Sequence, residues 1–94
     1  MTEPQPIPLD PEDIRVGATI AALRMLRGMT QDTLSAHRDV MISRAYLANI
    51  EKGRKHATPR VVARIAKALG VPQIAIIRPD LAEEYDRGTQ DSAS

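Results

Sequence analysis

Apolar residues recur along the middle of the chain at helical spacing. Val16, Ile20 and Leu23 fall on one edge of a first helix, Leu47 and Ile50 on one edge of a later one, and Val62, Ile65, Ala66 and Leu69 follow the i, i+3, i+4, i+7 repeat of a buried face. The residues between these runs supply starts and stops. Asp10-Pro11-Glu12-Asp13 predicts a helix start: Asp10 caps, Pro11 suits the first helical position, and the two acids favour the positive end of the helix dipole. That helix is expected to run to about Arg27, with Gly28 as its stop. Thr30 caps a second helix with Gln31 and Asp32 in its first turn and Leu34 inward, ending near His37 or Arg38. Ser43 caps a third that ends at Gly53, and Thr58 with Pro59 opens a fourth that ends at Gly70. The connection Asp39-Val40-Met41-Ile42 contains neither Gly nor Pro.

Beyond Gly70 propensity and context disagree. Gln73-Ile74-Ala75-Ile76-Ile77-Arg78 is rich in β-branched residues, but a single strand with no partner leaves its ladder unpaired, so a short fifth helix is expected. Pro79 to Tyr85 has the pattern of a sixth short helix, and residues 88–94 offer nothing to bury and are expected to be disordered. Pro4, Pro6 and Pro8 make residues 1–9 a flexible or extended arm. The expectation is an all-α chain: an arm over 1–9, a compact five-helix bundle over 10–78, and a short helix and tail over 79–94. Within it the third helix has one apolar edge and one polar edge. Arg24 falls beside the apolar edge of the first helix, where a charge needs a partner.

Composition narrows the function. Ninety-four residues make one small domain; without Cys there is neither disulfide nor thiolate metal site, and without Trp or Phe the core must be aliphatic. Net charge is only +1, yet residues 14–78 hold 12 Lys and Arg against Asp32, Asp39 and Glu51, so that segment carries 12 − 3 = +9, with acids gathered at both ends. Such a body suits a polyanion, since each Lys or Arg laid on a phosphate releases counterions; a merely solvated basic surface is the alternative. No apolar run approaches the roughly 20 residues of a membrane span, and the N-terminus lacks the order of a signal peptide, so a cytoplasmic protein with no membrane partner is expected. His37 and His56 are separated, the acids are scattered and there is no Gly-rich phosphate loop, which argues against an enzyme, a metal site or a cofactor.

Over about residues 14–78 the chain resembles the lambda-repressor-like helix-turn-helix family, the XRE or Cro/C1 type. The matching pieces are Ile20-x-x-Leu23-Arg24, Gly28-Met29-Thr30-Gln31-x-x-Leu34, Ser43-Arg44-x-Tyr46-Leu47-x-x-Ile50-Glu51-Lys52-Gly53, and Thr58-Pro59 with Ile65-Ala66-Lys67-Ala68-Leu69-Gly70-Val71. Thr30 to Glu51 is about two residues longer than the family's usual spacing and lacks its turn glycine, so helix 2 or the turn is lengthened.

The resemblance implies a third helix lying in the major groove of double-stranded DNA, with Arg44, Ala45, Tyr46 and Asn49 toward base edges. For Tyr46 packing against the core, and for Asn49 and Arg44 simple exposure, are the alternatives. Gln31, Ser43, Arg54, Lys55, His56 and Arg60 are the expected phosphate contacts, fixing register without reading sequence. Arg24 and Glu51 match positions that form a structural ion pair. The function implied is a sequence-specific transcriptional regulator, a repressor or Cro-like protein, acting as a homodimer on two half-sites. Ile74, Ile76, Ile77, Leu81 and Tyr85 either supply the dimer contact or close the core. An antitoxin-type module that holds a protein partner is the rival reading.

Overall fold

Within the described residues five full helices form where the hydrophobic pattern places them: α1 (Pro11–Leu26), α2 (Gln31–Ala36), α3 (Arg44–Glu51), α4 (Pro59–Leu69) and α5 (Gln73–Ile77). The computed structural model describes residues 9–81. The expected arm, all but Leu9, the later part of the expected sixth helix with Tyr85, and the expected disordered tail lie outside the described residues. Residues 79–81 are helical, and the Leu81 N–H donates to the Arg78 carbonyl at 2.9 Å.

The first four helices start on the cap their sequence supplies. Side-chain oxygens of Asp10, Thr30, Ser43 and Thr58 accept from the N–H groups of Glu12, Thr33, Tyr46 and Val61 at 2.8, 3.0, 3.0 and 3.2 Å. Each satisfies an amide that the helix leaves unpaired, and such a cap typically stabilises by about 1 kcal/mol. The short α5 has no side-chain cap. It forms nonetheless, because Ile76 is wholly buried and burial outweighs a β-branched preference that only neighbouring strands would reward.

The core is aliphatic, with Ile20, Leu34, Val40, Leu47, Ile50, Ile65, Leu69 and Ile76 all buried. α3 packs against α1 and α2, and α5 closes the far side against α4 and α1.

One boundary differs from expectation. α2 ends at Ala36, a residue or two early, because His37 swings to φ −56°, ψ 137°. The turn between α2 and α3 accordingly spans residues 37–43. That turn is pinned: the His37 carbonyl accepts from Val40 and Met41 at 2.8 and 3.0 Å, and the Ser35 carbonyl accepts from Ile42 at 3.0 Å. Val40 drops into the core, and the left-handed step that a glycine would take falls on exposed Met41, at φ 50°.

A candidate nucleic-acid interface on α3

α3 is clamped along its C-terminal half by α1. Leu47 and Ile50 enter the core, and the Gly17 backbone lies so close to the carbonyls of Ile50 and Glu51 that a Cβ there would overlap the first and stand 2.9 Å from the second. Just past the helix, Gly53 sits at φ 77°, and a Cβ on it would stand 2.8 Å from the Ile14 Cα. Glycine is needed there twice over, for its backbone angle and for its missing side chain.

The third attachment is electrostatic. Arg24 donates from Nε and Nη2 to the two carboxylate oxygens of Glu51 at 2.8 and 3.0 Å, and from Nη1 to the Met29 carbonyl at 2.8 Å. The Arg24 and Glu51 side chains are only 12% and 5% exposed, so the pair is screened little by water. Hydrogen bonding to Glu51 holds the Arg24 guanidinium above its ordinary pKa. Gln31 adds a bond from Nε2 to Glu51 Oε1 at 3.0 Å, tying the start of α2 into the same knot.

Held by that end, α3 leaves its first turn outside. Ser43, Arg44 and Ala45 are exposed. Ala45 and Asn49, four apart, follow one another along the face turned away from Leu47 and Ile50, with Arg44 and Tyr46 flanking them. Tyr46 is half-buried and packs against the core, as the packing alternative has it, but it is not fully enclosed. Asn49 is half-buried too. Its carbonyl accepts from the amides of Arg54 and Lys55 at 2.9 and 3.3 Å, which folds the basic loop back onto the end of α3.

Of the expected phosphate contacts, Arg54, Lys55 and Arg60 are exposed and have no salt-bridging carboxylate among the described residues. Two others are already engaged. Gln31 is bonded to Glu51, and His56 Nδ1 lies 2.8 Å from Asp13 Oδ1, which fastens the basic loop to the start of α1. Ser43 spends its hydroxyl oxygen as a cap acceptor, leaving its proton to donate. Arg44 Nε lies 3.5 Å from Asp32 Oδ1 on α2.

A family profile described as "Helix-turn-helix" matches residues 20–72. The chain belongs to the helix-turn-helix family. The lambda-repressor-like resemblance of its fragments and the bundle itself agree with that placement. A curated relative, the "Uncharacterized HTH-type transcriptional regulator y4dJ" of Sinorhizobium fredii, is 34% identical over 75 residues, covering 80% of this chain and 92% of its own length. Among solved structures, the restriction-modification controller protein C.AhdI of Aeromonas hydrophila superposes with a TM-score of 0.64 at 22% identity, over 68% of this chain and 94% of its own. The clp gene regulator ClgR of Corynebacterium glutamicum superposes with a TM-score of 0.69 at 22% identity, over 92% of this chain and 89% of its own. At that identity the two structures speak for the fold.

Three features of this helix-turn-helix escaped the sequence reading. Gly17 is a lone glycine inside a helix, a placement that costs about 1 kcal/mol relative to Ala and so signals a close backbone approach. Lys52 stands seven residues after Ala45 on the outward row and is exposed, a spacing the helical repeat makes visible. The sequence marks Asp32 only as part of its own helix start, whereas the folded chain brings it to Arg44.

Proposed function

We infer that this helix-turn-helix protein is a DNA-binding transcriptional regulator that lays α3 in the major groove and reads base edges with Arg44, Ala45, Asn49 and the hydroxyl end of Tyr46. The observation that carries this reading is the asymmetric mounting of α3: its C-terminal half is locked to α1 through Gly17, Gly53 and the Arg24–Glu51 pair, and the exposed basic loop is folded back onto that end, while its first turn is exposed. A rigidly held helix whose N-terminal residues project is the geometry that major-groove readout requires. Arg44 suits the paired acceptors of guanine, Asn49 those of adenine, and Ala45 a thymine methyl. Arg54, Lys55 and Arg60, with Gln31, Ser43 and His56 beside them, meet the backbone phosphates.

Residues 10–78 are the DNA-binding unit, and it acts as a twofold dimer in the cytoplasm, with binding rather than catalysis as its work. Half-buried Ile74, Ile77 and Leu81 leave apolar surface at α5 for a second copy. No described helix is long and apolar enough to cross a membrane. Selection of bound duplexes from random DNA by the purified protein tests the proposal. It predicts enrichment of two half-sites about one helical turn apart, centre to centre. Absence of enrichment refutes DNA reading, and a single enriched half-site bound by one chain refutes the dimer.

A further inference from the structure

His56 ends the basic run of the loop after α3 with its side chain 67% exposed, and its Nδ1 lies 2.8 Å from Oδ1 of Asp13, which is only 18% exposed at the start of α1. The contact fixes more than the position of the ring. An ionised carboxylate only accepts hydrogen bonds, so the ring nitrogen against it must carry the proton. In the neutral ring Nε2 is then a bare acceptor, and it makes no hydrogen bond among the described residues. Phosphate oxygens are acceptors as well. A neutral His56 held on Asp13 meets a phosphate lone pair to lone pair, whereas the imidazolium donates from Nδ1 to Asp13 and from Nε2 to the phosphate at once.

We propose that binding of duplex DNA takes up a proton at His56, and that Asp13 is the positioning residue that makes the uptake necessary. The proposal rests on His56 being a phosphate contact. The other charged groups on the elements around the ring do not replace Asp13. Glu12, one residue before it on α1, is bonded to Arg15 at 2.8 Å, while Arg54, Lys55 and, in the first turn of α4, Arg60 are cations. Val62 of α4 and Ile77 of α5 line the hollow beside the ring without charge. DNA favours the charged ring, so affinity is greatest at low pH and falls as pH rises through the range where imidazoles titrate, about pH 5.5 to 8. The contact is to the backbone, so every duplex shares the effect.

The test measures affinities of the wild type, His56→Gln, Asp13→Asn and the double variant at about pH 5.5 and 8 and over a range of salt. The probes are a duplex selected from random DNA and an unrelated duplex of equal length. The wild type is expected to bind both roughly three- to five-fold more tightly per chain at the lower pH, with the slope of log affinity against log salt steeper by up to about 0.9 per chain. His37 titrates in the same range, but its Nδ1 accepts from the Asp39 amide at 3.1 Å and every protein compared retains it, so the difference from His56→Gln isolates His56. His56→Gln should lose the gain. Asp13→Asn should lose part of it, because an amide can donate to Nδ1 and leave the neutral ring a proton on Nε2 for the phosphate, raising affinity at the higher pH. With Gln at position 56, Asp13→Asn should change both pH values alike. A pH dependence in His56→Gln equal to that of the wild type overturns the proton uptake, and one in Asp13→Asn equal to that of the wild type overturns the positioning role. If the wild type binds neither duplex at either pH, the DNA-binding assignment itself fails, a result distinct from both.

Discussion

Replacing Glu51 by Gln keeps the shape of the side chain, removes its charge and turns one of its two acceptor oxygens into an amide donor. The structure gives the consequence. Arg24 loses the ion at which Nε and Nη2 both point, yet it stays 12% exposed and keeps only the Met29 carbonyl and one neutral amide oxygen as acceptors. Breaking one side of a buried pair costs about 3–5 kcal/mol, since the remaining charge is left uncompensated. The Met29 bond and the residual exposure place this variant near the lower figure, about 3 kcal/mol. For a domain of this size a loss of that order lowers Tm by roughly 12–24 °C. Urea and thermal unfolding of Glu51→Gln, Arg24→Met, Glu51→Leu and the Arg24→Met/Glu51→Leu double variant form the appropriate cycle. The double variant should lose far less than either single change, because replacing both partners removes the desolvation penalty along with the attraction. A loss below about 1 kcal/mol for Glu51→Gln, the range of exposed pairs, would refute the claim that this pair fastens α3 to α1.

Gly17→Ala sets two rules against each other. Helix propensity alone predicts a gain of about 1 kcal/mol, whereas the overlap with the Ile50 carbonyl predicts a net loss of about 1–3 kcal/mol, read from urea midpoints, with DNA affinity falling as α3 is displaced. At Met41 the sign reverses: Met41→Gly frees an exposed residue from φ 50° and should stabilise by about 0.5–1 kcal/mol in the same assay. Lys55→Ala should weaken binding to all duplexes and reduce the slope of log affinity against log salt by about one; an unchanged slope removes Lys55 from the phosphate contacts.

The helices were legible because their punctuation is local. A capping Asp, Thr or Ser and a stopping Gly act within a few residues, and the apolar repeats of α1 and α4 carry the core with them. The α5 segment was legible only by excluding a strand, since its isoleucines favour one until the absence of a partner is considered. What could not be read were the consequences of helices meeting. The close approach at Gly17 depends on where α3 crosses α1, and the Asp32–Arg44 contact depends on the course of the turn over residues 37–43. The end of α2 falls short of the expected His37 or Arg38 for a related reason: nothing local marks His37 as a stop, and Val40 reaches the core only if the chain leaves the helix there. The engagement of His56 with Asp13 joins residues 43 apart in sequence, beyond the reach of any local pattern.

Contact of Arg44, at the exposed start of α3, with a base edge in the major groove is open to a direct test: binding to the selected duplex in which single guanines are replaced by 7-deazaguanine, which removes the N7 acceptor and leaves Watson–Crick pairing intact. At one guanine in each half-site the replacement should weaken the wild type by about five-fold or more, and Arg44→Ala, already weakened, should be indifferent to it. Equal losses in the two proteins, or no loss at any guanine, would contradict it.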